Sequence, residues 1–158
     1  MQALDSHSRV SEIRAQIQLK PSLKRLYQEI YEKYVECLNR CPKSGFALEL
    51  GSGAGFAKQM VPKLITSDIL SYQGVDQVVD ATELPFEDQS ISFIGMVNVF
   101  HHIPDTERFL QEAQRCLLSG QNTGCPVHRN RDVLPIRYPR LRFSLNVVSV
   151  WMFDWRRF

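Results

Sequence analysis

The sequence predicts an α/β fold in which a mostly parallel sheet is flanked by helices. One observation is an apolar run from Phe46 that ends abruptly in three alternating glycines, as a buried strand does where it turns tightly into a helix. Another is that three more short apolar runs follow, separated by polar turns and closed by a helical pattern. Strands and helices that alternate in this way favour a parallel sheet covered on both faces.

The first predicted element is an amphipathic helix that precedes the glycines. Apolar and aromatic residues recur from Leu23 to Leu38 at offsets 0, 3, 4, 7, 8, 11, 12 and 15. One helical face accounts for all of them.

The next elements are the first strand and its turn. Gly51, Gly53 and Gly55 allow positive φ and a close approach of the backbone to a ligand. The helix predicted after them would offer unpaired N–H groups and a positive dipole end. The sequence therefore predicts a site for a nucleotide-like ligand at this turn.

Three further strands are predicted at 64–68, 75–79 and 90–100. Only 12 residues separate Asp68, at the end of the second strand, from Asp80, after the third, so we expect a loop rather than a helix between these strands. After the fourth strand, a helical face is predicted with Asp105 as its N-cap. Its apolar positions are Phe109, Leu110, Ala113, Cys116 and Leu117.

The glycine spacing is not that of the dinucleotide motif G-x-G-x-x-G, because the chain has Glu49-x-Gly51-x-Gly53-x-Gly55. With the later Asp80-Ala81, Leu84-Pro85-Phe86 and His101-His102-Ile103-Pro104 segments, the chain resembles the class I S-adenosylmethionine-dependent methyltransferases of type 11. The resemblance extends over about residues 47–118 and implies a Rossmann-like fold with S-adenosylmethionine as cofactor. A nicotinamide-dependent Rossmann enzyme is disfavoured by the glycine spacing.

The resemblance assigns roles to nine residues at the cofactor. Glu49 would lie near the amino end of its methionine, Asp68 at the ribose hydroxyls, and Asp80 at the adenine amino group. The alternative for Asp68 is that it caps a turn. The full predicted cofactor set is Glu49, Gly51, Ser52, Gly53, Gly55, Asp68, Asp80, Ala81 and Asn98.

The resemblance also implies that the first predicted helix packs across the cofactor. Tyr27, Tyr31 and Tyr34 would then either line a cavity or face the core with their hydroxyls in water. His101 and His102 are the candidate catalytic residues, because either could take a proton from an oxygen acceptor. The alternative is that one packs beside the ribose and the other caps the following helix.

The implied reaction is transfer of a methyl group to an unidentified, small-molecule acceptor. The alternative is a truncated cofactor-binding fragment, inactive by itself, that acts through a partner. The resemblance stops near Leu118, where the charge changes sign, since residues 1–118 carry a net charge of −3 and residues 119–158 a net charge of +5. The second segment contains seven arginines and no lysine, and we interpret it as an unrelated or frame-altered ending on a truncated domain. The alternative is that its arginines form a basic patch for nucleic acid or an acidic partner.

This interpretation divides the chain into three parts, a helical segment at 1–42, a cofactor-binding core at 43–118 and an arginine-rich tail at 119–158. The sheet would be incomplete in its C-terminal half. Residues 143–153 could form one strand beside the fourth, and 121–142 are expected to be loop. An uncovered fourth strand would favour self-association.

Composition and charge narrow the classes of protein to which the chain could belong. The 158 residues, 44% of them hydrophobic, suit one globular domain, and the overall charge of +2 does not indicate a nucleic-acid partner. No membrane span or signal peptide is evident, so a cytoplasmic protein is expected. Cys125 and His128 alone do not make a zinc site, and no metal is expected.

Overall fold

The computed structural model describes residues 7–118 and 149–151. It contains both helices and strands, as the sequence predicted. In order they are α1 His7–Leu19, α2 Pro21–Arg40, β1 Phe46–Leu50, α3 Ala57–Met60, β2 Leu64–Asp68, β3 Gln77–Val78, β4 Ile91–Val97, a 3₁₀ turn Phe100–His102, α4 Thr106–Cys116 and β5 Ser149–Trp151.

The five strands form one parallel sheet in the order β3-β2-β1-β4-β5. The order reverses direction beside β1, which lies between β2 and β4. Glu49 of β1 is in register with Thr66 of β2 on one side and with Gly95 of β4 on the other. Ligands of open α/β sheets bind outside the carboxyl ends of the strands at such a reversal, so the topology places a site after β1.

Helices cover both faces of the sheet, which is why β1 and β4 are buried almost throughout. Leu48, Leu50, Ile94 and Met96 pack with α4 on one face. The other face packs with α1, α2 and α3, and its core includes Ala47, Leu64, Phe93, Tyr31 and Tyr34. The predicted α/β fold with flanking helices is confirmed.

The predicted helices before and after the strands are confirmed. The helix expected over residues 23–38 is α2, whose N1 residue is Pro21. The N-cap of α4 is Asp105, as predicted, and its carboxylate accepts a hydrogen bond from the Arg108 N–H at 2.9 Å. The connection between β2 and β3 contains no helix and is the expected loop.

Two elements are shorter than the sequence predicted. The helix after the glycine turn, α3, has four residues, and β3 has two. The predicted strand at 143–153 is present over Ser149–Trp151, which pairs with Gly95–Val97. The fourth strand is therefore paired over its last three residues. Self-association through a sheet edge stays a prediction. The loop expected at 121–142 and the Cys125–His128 pair lie outside the described residues.

Within 7–118 and 149–151, none of the helices has the length and apolar character needed to cross a membrane.

Candidate cofactor site

A cavity of about 330 Å³ lies at the carboxyl ends of β1, β2 and β4, where the strand order reverses. The sequence argument placed nine residues in a cofactor site, and the structure brings all nine to the lining of this one cavity. They are Glu49, Gly51, Ser52, Gly53, Gly55, Asp68, Asp80, Ala81 and Asn98.

The turn after β1 depends on glycine at two positions. Gly51 has φ +65°, and a Cβ there would lie 2.2 Å from Val99 Cγ2. Gly53 has φ +48°, but its missing side chain faces open space, with Gly51 O the nearest atom at 3.7 Å. Gly51 is therefore required for the packing of the turn, whereas Gly53 leaves room for a ligand.

Within the glycine turn itself, most backbone N–H groups have partners inside the protein. Ser52 N donates to Ser67 O at 2.9 Å, Gly53 N to Asp68 Oδ2 at 3.1 Å, and Gly55 N to Ser52 O at 2.8 Å. Phe56 N donates to the Tyr31 hydroxyl at 3.3 Å. These N–H groups are satisfied within the protein, and a four-residue helix has little dipole, so the turn is poorly suited to a pyrophosphate.

Carboxylates surround the cavity instead. Asp68, at the end of β2, accepts from Gly53 N and from Leu70 N at 3.3 Å, so it caps the turn, which was the alternative interpretation, while also lining the cavity. Asp80 accepts from the Thr82 N–H and hydroxyl, both at 2.7 Å, through Oδ1. These bonds lower the pKa of Asp80 and keep it ionised.

Glu49 lies at the inner end of the cavity and is 2% exposed. Burial is the main effect on its carboxyl and raises its pKa to about 7; the Ser52 and Tyr34 hydroxyls act in the opposite direction, and the charge of Asp68 adds to the rise. Glu49 Oε2 is buried without a hydrogen-bond partner among the described residues. A buried carboxylate with an unused acceptor is suited to an ammonium group.

Two helices complete the wall of the cavity. From α2, Tyr27 and Tyr31 line it, whereas the Tyr34 ring is 0% exposed and its hydroxyl is buried rather than in water. Tyr31 therefore belongs both to the core and to the cavity, and Tyr34 to the core alone. The pKa values of Tyr27 and Tyr31 are raised by burial and by Glu49, which keeps both phenols neutral.

The contribution of α1 was not found in the sequence. Val10 and Ile13 of this helix line the cavity, and the Arg14 guanidinium donates to Gln73 O at 3.0 Å and Gly53 O at 3.3 Å. The only sequence signal was weak, since Val10, Ile13 and the buried Ile17 have helical spacing among polar residues and precede Pro21.

The two histidines differ in position. His102 lines the cavity, whereas His101 does not, although the two rings are 4.0 Å apart between centroids. Neither caps α4, because Asp105 does so. Asn98, which also lines the cavity, has φ +64°, an uncommon backbone conformation for a residue other than glycine.

Residues 48–122 match the family described as a methyltransferase domain, of type 11. Among curated protein sequences, none matches the chain. Three similar solved structures each have a TM-score of 0.51. They are an S-adenosylmethionine-dependent methyltransferase from Aquifex aeolicus at 18% identity, one from Thermotoga maritima described as a possible histamine N-methyltransferase at 24%, and a putative one from Methanococcus maripaludis at 17%.

The alignments cover 72%, 70% and 76% of this chain, and 68%, 54% and 64% of the three solved chains in the same order. The chain thus spans between about half and two thirds of their length. The family match over residues 48–122 supports the predicted resemblance to methyltransferases of type 11, and the three solved structures share the fold of this chain. S-adenosylmethionine is the cofactor that this resemblance implies.

Proposed function

We propose that the chain binds S-adenosylmethionine in this cavity and transfers its methyl group to a small-molecule acceptor. The observation that carries the proposal is the buried Glu49 carboxyl at the inner end of a cavity that also contains Asp68 and Asp80. Three carboxylates and a glycine turn whose N–H groups are largely used suit a ligand with cationic groups better than a pyrophosphate.

The residues present fit the parts of this cofactor. The free Oε2 of Glu49 is the acceptor for the methionine ammonium group. Asp68 and Asp80, at the ends of adjacent strands, are the acceptors for the ribose hydroxyls and the adenine amino group. Ala81 is beside Asp80, and Gly53 opens the backbone to the ligand.

The bound cofactor supplies the activated methyl group through its sulfonium. The protein then has to hold the acceptor near it and exclude water, which can lower a barrier by roughly 7 to 11 kcal/mol. The walls from α1 and α2 serve this purpose, and their closeness favours a small acceptor. Because His102 alone of the two histidines lines the cavity, the general-base hypothesis now concerns His102.

Calorimetric titration of the full chain with S-adenosylmethionine and S-adenosylhomocysteine tests the cofactor site. We expect micromolar binding that is lost in Gly53→Arg, because the arginine side chain would enter the open space beside the turn. Gly53→Ala is the matched control, since it carries the same strain at φ +48° without filling the cavity. Equal binding by the parent chain and Gly53→Arg would contradict the proposed site.

Turnover is tested separately with a panel of small amine, hydroxyl and carboxylate acceptors. Methyl transfer to any of them supports the enzyme, and binding without transfer to any acceptor favours a cofactor-binding fragment. Once an acceptor is known, unchanged turnover in His102→Ala would exclude its role as a base.

A further inference from the structure

We propose that Tyr34 is a positioning residue, whose hydroxyl donates a hydrogen bond to the Glu49 carboxylate whenever Glu49 is ionised, in the empty and in the cofactor-bound protein, and so favours the form of Glu49 that receives the cofactor's ammonium group. The inference rests on the proposed function, because it takes Glu49 as the residue that binds the ammonium group. It concerns a side chain of α2 that does not itself line the cavity.

The sheet register brings Tyr34 to Glu49. Glu49 of β1 and Gly95 of β4 are register partners, so their positions are neighbours in the sheet, about 4.8 Å apart. Gly95 has no side chain, and a Cβ there would lie 2.5 Å from Tyr34 Cζ and 2.7 Å from its hydroxyl oxygen. The Tyr34 hydroxyl therefore occupies the space that a side chain at position 95 would fill, directly beside Glu49.

Packing fixes the tyrosine in that place. Its ring is 0% exposed and meets Phe93 edge-on at 5.1 Å and Tyr31 at 5.6 Å between centroids. With the ring held on both sides, its hydroxyl cannot turn toward water.

The Tyr34 hydroxyl oxygen and Glu49 Oε2 are both buried, and neither has a hydrogen-bond partner among the described residues. A buried polar atom without a partner is costly and calls for an explanation. A small approach of the two groups would satisfy both atoms at once. Ionisation of Glu49 favours that approach, because a carboxylate is a stronger acceptor than a neutral carboxyl group.

Other groups also act on the Glu49 carboxyl. The Ser52 hydroxyl favours its ionised form, as the Tyr34 hydroxyl does, and Asp68 opposes ionisation by its own charge. The Tyr31 hydroxyl accepts a hydrogen bond from the Phe56 N–H. Burial is the main cause that raises the Glu49 pKa, and the Tyr34 hydroxyl is one of two groups that lower it. In addition to Glu49, the titratable and charged side chains that line the cavity are those of Arg9, Tyr27, Tyr31, Asp68, Asp80 and His102.

The test is the affinity for S-adenosylhomocysteine, measured by calorimetry from pH 6 to pH 8.5 in the full chain and in Tyr34→Phe. One hydrogen bond to a charged group is worth about tenfold or more in an equilibrium. The variant should therefore bind about tenfold more weakly than the parent at pH 6, where Glu49 must lose its proton on binding. At pH 8.5, where Glu49 is largely ionised in both proteins, the affinities should agree within about twofold.

Tyr31→Phe is the matched control, because it loses a hydroxyl of the same helix that bonds Phe56 N rather than Glu49. We expect its loss of affinity to be the same at every pH. A ratio between the parent and Tyr34→Phe that is constant from pH 6 to pH 8.5, or equal affinities at pH 6, would overturn the inference. Absence of binding by the parent chain at every pH would instead contradict the proposed function.

Discussion

Ionisation of Glu49 should lower the stability of the folded protein, which is the opposite of what most carboxylates do. Glu49→Gln should therefore remove a decrease in the free energy of unfolding with rising pH. Because burial raises the Glu49 pKa from 4.5 to about 7, the unfolded chain loses this proton at lower pH than the folded chain. Ionisation therefore favours the unfolded state as the pH rises from about 4.5, and the loss of stability is complete above about pH 7. Glutamine has no such titration.

The size of the effect follows from the two pKa values. A difference of about 2.5 between them corresponds to about 3 kcal/mol, of which about 2 to 3 kcal/mol falls between pH 5 and pH 8. The free energy of unfolding of the cofactor-free parent, relative to Glu49→Gln, should decrease by this amount over that range. Any change that the buried glutamine amide makes to the free energy of unfolding is a constant amount, and that amount does not alter the dependence on pH.

Urea unfolding of both proteins, followed by circular dichroism at several pH values, measures the difference. Addition of S-adenosylhomocysteine at about 100 times its dissociation constant should stabilise the parent by about 2.7 kcal/mol, and the variant by much less. Parallel stability curves for the two proteins between pH 5 and pH 8 would refute the reasoning, because they would mean that Glu49 does not titrate in this range.

Two further substitutions test the surroundings of the site. Gly95→Ala should destabilise the fold by about 1 to 3 kcal/mol, because its Cβ would overlap the Tyr34 ring, and an unchanged midpoint of urea unfolding would contradict this packing. Arg14→Ala should release α1 from Gly53 O, and loss of its two hydrogen bonds should accelerate cleavage after Glu12 by a glutamate-specific protease about tenfold. The control is Arg25→Ala, which removes an exposed arginine and should be cleaved at the same rate as the parent. Equal cleavage rates for the two variants would show that Arg14 does not hold α1 in place.

The sequence was sufficient wherever the local pattern and the final environment agree. The apolar run that begins at Phe46 and the one that ends at Asp68 are buried strands in the structure, and Asp105 caps the helix that its position predicts. Asp68 could be placed from its position at the end of a strand adjacent to β1, whereas the family resemblance placed Asp80, and both carboxylates line one cavity.

Long-range contacts could not be predicted in the same way. Whether the backbone N–H groups of the glycine turn are available depends on acceptors such as Asp68 and Tyr31, and the turn itself does not reveal them. The position of α1 depends on Arg14, whose two acceptors lie 39 and 59 residues further along the chain. A short apolar stripe on a polar helix gives little sign of such a contact.

The relation between Glu49 and Gly95 joins the two kinds of information. A glycine within an apolar strand lowers strand propensity and has no obvious value in the sequence. The sheet register explains why Gly95 is a glycine, because the buried Tyr34 hydroxyl occupies the space beside Glu49. An unsatisfied acid and phenol in the core lower the stability of the empty protein, and their retention is understandable if a cationic ligand satisfies them.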